Sequence, residues 1–449
     1  MHLKFNRRWL ALLSIGALAA SAAVAAASTG AAGSRAAGPS GSLTVWVDSV
    51  RLPAAKLYAK THPKVKLKIV TFDGDGNGAT TLQAKMQLWN RTGNGWPDVI
   101  FSEQANDPVW MAQKPFDFAA HLEGGVFPTK IASQIPKPSI GQCTVGGHLV
   151  CVQDNLAPEV LYYNKKLMAQ FGYKVPTTWQ QWAQIGEDVA KNHPGYVIGT
   201  VGDSYGHWLY LWSDQCPLST LKGPKTVLIN AADAHCTRMA NLLDPLIANK
   251  SVSDITVFSP DFAKQYGGDA DKVLMMPGAA WYALAVFRDT LKLPAGEWTT
   301  STPLRWGTEP VVTGQVGGGP WIISKHTKNM AAAVDFVQWN VAGAKLNTKI
   351  ANYSAVAPGL PSYGPAAKAW LAWLGKDPFF AAPPGAAIGA AANQIWRGWN
   401  LVTYPDQPVW SNSVVTQLVA GKSLSSLLPA LGKGLSQAAK AAGYEVVSH

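Results

Sequence analysis

The sequence predicts an α/β protein built as two lobes, and three observations predict it. First, the chain has 449 residues, and about 410 remain once an N-terminal export segment is set aside, more than one ordinary hydrophobic core organises. Second, strand-like and helix-like runs alternate near the start as β-α-β-α-β, the pattern of a parallel sheet covered by helices. Third, the same alternation begins afresh in the middle of the chain, at the stretch "LYYNKKLMAQFGYKVPTTWQQW", Leu161 to Trp182.

The elements follow in order. "SLTVWV" (Ser42 to Val47) reads as a buried strand, "LPAAKLYAKTHP" as a helix stopped by Pro63, and "VKLKIVTF" as an alternating strand. "TLQAKMQLWNR" is helical, and "DVIF" (Asp98 to Phe101) is a short strand. In the middle stretch, "VLYY" is β-branched and aromatic, hence a strand. Leu167, Met168 and Phe171 form one face of a short helix ended by Gly172. Thr178 caps the next helix with Gln181 as its capping-box partner. Trp179, Trp182, Ile185 and Val189 then recur at helical spacing, which makes both tryptophans core residues. "YVIGTV" is read as a strand, "HWLYLW" as a helix and "KVLMMPGAAWY" as a strand running into a loop. "TGQVGGGPWIIS" is a glycine-rich approach to a strand, followed by the amphipathic helix "NMAAAVDFVQWNVAG" and two amphipathic tail helices.

The N-terminus reads as an export signal. Lys4, Arg7 and Arg8 precede the apolar run "WLALLSIGALAASAAVAAA", and small residues suited to cleavage follow. Residues 1–27 are assigned as signal peptide and 28–41 as a flexible linker; a retained membrane anchor is the alternative, and Arg7-Arg8 also permits twin-arginine export. No cysteine precedes Cys143, so there is no lipidated cysteine at the export junction. An even cysteine count in an exported chain suggests two disulfides, although four cysteines allow three pairings, and free buried thiols are the alternative. Cys143 and Cys151 flank a Gly146-Gly147 hairpin turn that brings them across a strand pair, which leaves Cys216 for Cys236. No cysteine or histidine cluster has metal-ligand spacing in sequence, so neither metal nor cofactor is expected.

The formal charge is +11; four of the 38 basic residues precede Ala36, which leaves 34 against 27 acids. The lysines are dispersed and no arginine-rich tract occurs, which argues against a nucleic-acid partner. Nineteen tryptophans are the unusual number. Large aromatics mostly fill cores, but an excess in an exported protein also suits sugars, whose pyranose C–H faces aromatic rings can cover.

The quoted stretch, with "GWPDVIF", "GGHLVCVQDNLAP", "DKVLMMPGAAWY" and "VGGGPWIISKHTKNMAAAVDFVQWNV", resembles the extracellular solute-binding proteins of carbohydrate ABC importers, the maltose-binding-protein-like family. The segments occur in that family's order across most of Ser42 to Tyr444. The resemblance implies a type II periplasmic-binding-protein fold, with the ligand cleft between lobes joined by crossover hinges. The first lobe would take residues 42–157 and 316–357, and the second 158–315 and 358–449. It implies a monomer that binds a saccharide outside the cytoplasmic membrane and hands it to the permease subunits of an ABC transporter, without catalysis.

Ligands of open α/β sheets sit beyond the carboxyl ends of strands. That rule selects Asp48 and Ser49 after the first strand, Asp73, Asp75 and Asn77 after the second, and Glu103, Gln104, Asn106 and Asp107 after the third, with Trp110 one turn on. Asp154, Asn155 and Glu159 lie near the implied crossover. Carboxylates and amides pair with vicinal hydroxyls, although each acid is equally suited to cap a helix. Trp281 is the favoured stacking residue on the resemblance, followed by Trp110, Trp208, Trp321 and Tyr205, while Trp396 and Trp399 read as packing.

Three competing readings use the same residues. "GDSYG" (Gly202 to Gly206) fits a nucleophile elbow with Ser204 as nucleophile, and His235 and His326 lie downstream, the pattern of a secreted esterase; no HGGG-type oxyanion loop precedes it. A glycoside hydrolase would need two carboxylates facing each other across a cleft. "DGDGNG" (Asp73 to Gly78) begins like a calcium loop, but Ala84 stands where the twelfth-position acid belongs.

Overall fold

The computed structural model describes residues 39–72, 80–102, 107–223, 225–399, 404 and 406–448. The N-terminal residues read as an export signal, the "DGDGNG" run with Asp73, and both Glu103 and Asn106 lie outside the described residues.

The first lobe is organised by a five-stranded sheet in the order Val65–Thr71, Gly41–Val47, Val99–Phe101, Pro320–Ile323 and Val152–Gln153. The first three strands are parallel, and the last two add in antiparallel fashion. Alternation decides the layers. Leu43, Val45 and Val47 face one core with Tyr58, Trp321 and Phe336, whereas Trp46 and Ile100 turn to a second core holding Met86, Trp110 and Ile322. Both faces are covered, as a largely parallel sheet requires.

In the second lobe Glu159–Asn164 is the middle strand, flanked antiparallel by Met275–Ala279 and Trp298–Ser301. Gly172 ends the first helix at φ 76°, the left-handed conformation the sequence predicts there. Thr178 caps Trp179–Asn192 by accepting from the Gln181 amide, while the Gln181 side chain accepts from Thr177, one residue upstream of the expected partner. Trp179 and Trp182 are fully buried, as their spacing predicts. "YVIGTV" forms less strand than expected: Gly199–Thr200 pairs with Val252–Ser253, and Val197 bridges to Val273.

Three segments cross between the lobes, and they are laced to one another. Leu156 and Asn155 pair antiparallel with Leu360 and Pro361. Pro158 bridges to Gln315, and the Val316 amide donates to the Ala157 carbonyl at 3.1 Å. Beyond the third crossing, Tyr363 and Ala366 still pack in the first core, whereas Trp370 and Leu374 belong to the second.

Both disulfides form with the expected pairing, Cys143–Cys151 and Cys216–Cys236. The first closes a hairpin whose Gly146 and Gly147 take φ 58° and 86°, the positive values a two-residue type I′ turn demands.

Candidate ligand-binding cleft

A cavity of about 410 Å³ lies over the crossovers, walled by both lobes. It is within the size range of a small-molecule site. The first lobe contributes Asp48, Val50, Arg51 and Phe101; the floor is Asn155, Gly317 to Gly319 and Pro358; the second lobe contributes Tyr205, Trp208, Phe258 and Trp281.

Asp48 ends the first strand, and its carboxylate accepts from the Arg51 backbone amide at 2.6 Å and the Arg51 guanidinium at 3.0 Å. It therefore holds the turn that leads into the helix Leu52–Thr61, whose N-cap position is Arg51, and it borders the cavity as well. Burial pushes the Asp48 carboxyl above its usual range, and the Arg51 charge opposes that shift. The same guanidinium donates to Asn155 Oδ1 at 3.1 Å and lies 4.1 Å over the Phe101 ring centroid. One cation thus ties the first lobe to the crossover floor.

The opposite wall is aromatic. The Trp281 indole donates to the Val316 carbonyl at 2.8 Å, which fixes the ring edge to the crossover, and Phe258 lies nearly parallel to it at a centroid distance of 6.3 Å. The Tyr282 hydroxyl lies 3.2 Å from the Tyr205 hydroxyl and 3.4 Å from Asp203 Oδ2. Burial raises the Asp203 carboxyl to about 6, against donors from Thr256, Val257 and Tyr282 that hold it down. Trp208 is anchored from behind by Asp406, which accepts from its indole at 2.8 Å. In the floor, Gly318 has φ 91°, and a Cβ there would sit 2.8 Å from Gln315 Nε2 and 3.0 Å from the Asn155 carbonyl. The positive φ and these close neighbours together require glycine at this point of the floor.

Of the residues selected from the sequence, Asp48, Asn155, Tyr205, Trp208 and Trp281 meet at this cavity. Trp110, Asp154 and Trp321 lie behind the walls. Trp110 donates to Asp107 within the first lobe's core, and Trp321 donates to Asp154 Oδ1 at 2.7 Å. Glu159 is buried beneath the crossovers, where it accepts from Ser213 at 2.6 Å, and burial pushes its carboxyl well up. Arg51, Phe258, Pro358 and Gln407 line the cavity but escaped the sequence reading. Arg51 follows the first strand's carboxyl end by four residues, so its position is legible in sequence, although a cation does not share the hydroxyl-pairing chemistry that selects acids and amides.

The "GDSYG" motif has a packing explanation. A Cβ on Gly202 would come 2.4 Å from the Asp254 carbonyl oxygen, and one on Gly206 would come 2.9 Å from the Val201 carbonyl. Both glycines permit close backbone approach. Among the described residues no histidine is hydrogen-bonded to Ser204: His235 Nδ1 engages the Asp214 carbonyl, and His326 stacks on Trp96. Asp48 is the one carboxylate among the described residues lining the cavity, and it is paired with Arg51.

Two α/β lobes, laced crossovers and a cavity walled from both sides define a solute-binding protein of the two-lobe type. The chain belongs to the bacterial extracellular solute-binding protein family, which it matches over residues 40–340. No curated protein matches it. Among solved structures it is similar to the galacto-N-biose-/lacto-N-biose I-binding protein of the ABC transporter from Bifidobacterium longum in complex with lacto-N-biose. That likeness has a TM-score of 0.71 at 17% identity and covers 92% of this chain and 100% of that one. It is also similar to the ABC transporter associated binding protein from B. animalis subsp. lactis Bl-04 in complex with beta-1,6-galactobiose (TM-score 0.69, 18% identity, 91% and 99% covered). The sugar-binding protein MalE from Xanthomonas citri is a third (TM-score 0.69, 15% identity, 90% and 98% covered). At these identities the likeness establishes the fold. Among the described residues no helix is long and apolar enough to cross a membrane.

Proposed function

We propose that the protein captures a saccharide outside the cytoplasmic membrane and delivers it to the permease subunits of an ABC transporter by lobe closure, as a monomer and without catalysis. The observation that carries this reading is the pairing of an aromatic wall, Tyr205, Trp208, Phe258 and Trp281, with a polar corner of Asp48, Arg51 and Asn155. Rings cover the apolar faces of a pyranose, while amide, carboxylate and guanidinium groups satisfy its hydroxyls. The similar proteins in complex with lacto-N-biose and beta-1,6-galactobiose support a saccharide, and the cavity of about 410 Å³ suits one of few rings. Residues 42–157 with 316–366 act as one jaw and 158–315 with 367–449 as the other, the last boundary following Ala366 because Tyr363 and Ala366 pack in the first core, and ligand shifts the population toward the closed pair. Residues 1–27 direct export and 28–41 tether the jaws.

The test is a thermal-shift screen of protein refolded to remove carried-over ligand, against mono- and oligosaccharides. Ligand at one hundred times its Kd adds about 2.7 kcal/mol, several degrees in a chain of this size. A panel with no shift would remove the saccharide assignment while leaving the fold intact. Release of reducing sugar over a long incubation would instead favour hydrolysis.

A further inference from the structure

On the outer edge of the first lobe, away from the cleft, three side chains converge. His121, Glu123 and His148 each offer one donor atom, and these atoms all lie within 4.8 Å of one another. From them we infer that the protein holds a divalent transition-metal ion of the zinc type at this edge, ligated by two imidazoles and one carboxylate.

The backbone explains why the three meet. Residues 120 and 122 are both hydrogen-bonded as an extended segment, the Ala120 amide to the Ile323 carbonyl and the Leu122 amide to the Leu149 carbonyl, each at 2.8 Å. Alternation along that segment buries Leu122 and turns His121 and Glu123 to the same outer face. His148 stands opposite, on the arm of the hairpin that Cys143–Cys151 closes. Glu123 Oε2 accepts from the Leu149 amide at 3.0 Å, which aims Oε1 at the imidazoles. The donors therefore come from two chain segments already fixed by main-chain bonds and a disulfide, a preorganised arrangement.

Two of the three donor separations approach the spacing that one ion imposes. Two ligands on a tetrahedral zinc, each at its usual bond length, stand about 3.3 Å apart. Glu123 Oε1 lies 2.6 Å from His148 Nδ1 and 3.7 Å from His121 Nδ1, so the observed separations bracket that value. The two imidazole rings lie face to face with centroids 3.8 Å apart, so one ring turns about its side-chain bonds to bring its lone pair onto the shared ion. All three side chains are about half exposed, which leaves the fourth position to water. Imidazole donors select zinc and its late first-row neighbours over magnesium or calcium, which prefer oxygen. Bound metal would cross-link segment 121–123 to the hairpin.

The test uses tag-free full chain stripped of metal, titrated with zinc against a chromogenic chelator, with cobalt as the spectroscopic probe. The expected result is one zinc per chain, cobalt bands of a low-coordinate nitrogen-oxygen site, and a rise in Tm with zinc. His121→Ala and His148→Ala should each weaken binding by about tenfold or more and abolish the Tm rise. Both positions are exposed, so near-ultraviolet circular dichroism should be unchanged. Absence of zinc binding, or equal binding by wild type and the double variant, overturns the site, since the second result places the ion on other histidines. Neither outcome touches the saccharide reading, which rests on the cleft alone.

Discussion

Lys345 Nζ stands 2.6 Å from Asp154 Oδ1 with both side chains almost wholly buried, directly behind the crossovers. The same carboxylate oxygen accepts from the Trp321 indole, and Lys345 also donates to the Asp154 carbonyl at 3.1 Å. Arg51 Nε lies 3.9 Å from the other carboxylate oxygen. Burial pushes the Lys345 ammonium down, and the Asp154 charge opposes that. This pair pins the first crossing strand to the helix Ala344–Leu346 of the first lobe.

Removing Lys345 leaves the Asp154 carboxylate buried with only the more distant Arg51 guanidinium opposite its charge. Lys345→Met should therefore cost about 3–5 kcal/mol, far more than loss of a surface pair. Urea denaturation with an unchanged m-value would report it as a lowered midpoint. A shift under about 1 kcal/mol would mean that water reaches Asp154.

Asp203 predicts a pH dependence. Its carboxyl is raised from an ordinary 3.8 to about 6, chiefly by desolvation. The native state thus holds this proton more tightly than the unfolded chain. Its stabilising contribution is complete below pH 4 and is lost as pH rises through about 6, on the order of 2–3 kcal/mol. Asp203→Asn keeps an acceptor for Thr256 and Val257 and cannot ionise. Relative to wild type, the variant should gain stability from pH 4 to 7. A difference that stays level across that range would show that Asp203 titrates normally.

How far the sequence alone could reach depended on range. Val45, Trp46 and Val47 declare a strand buried on both faces, and Trp179 and Trp182 declare a buried helix stripe, because alternation and helical spacing are local properties. The Cys143–Cys151 pairing was legible for the same reason, through its Gly146-Gly147 turn. Asp48 borders the cavity from the position just after the first strand, which a strand end announces in sequence. Trp321 lies behind the cavity wall, and a tryptophan beside a glycine-rich turn reads alike in sequence whether it faces a cavity or, as here, donates to Asp154. Phe258 and Gln407 reach the cleft from segments some 150 residues apart, and no local pattern links them to it. The His121, Glu123 and His148 cluster joins positions 25 residues apart through a hairpin register that only the fold supplies.

The disulfides should differ in their effect. Cys143–Cys151 closes 8 residues and Cys216–Cys236 closes 20. Loop-closure entropy gives about 2.5 kcal/mol for the shorter and about 3.3 kcal/mol for the longer. Calorimetry of the paired Cys→Ser variants should rank them in that order, with C216S/C236S the lower in Tm. Reduction of wild type should lower Tm by more than either variant does.

Trp281 decides how the proposed ligand is held. Its indole N–H is already engaged by the Val316 carbonyl at 2.8 Å, so what remains for a ligand is the ring, with Phe258 and Tyr205 beside it. Trp281→Ala should remove a stacking surface of the hot-spot kind and cost about 2 kcal/mol, or about thirtyfold in Kd. Trp281→Phe keeps a ring but frees the Val316 carbonyl, and should cost about 1 kcal/mol. Titration calorimetry on the saccharide that the thermal screen selects separates the two, because the alanine variant loses both functions and the phenylalanine variant only one. Equal affinity for wild type and Trp281→Ala would mean that the ligand lies against Trp208 and the first lobe, and that Trp281 serves only to lock the crossover.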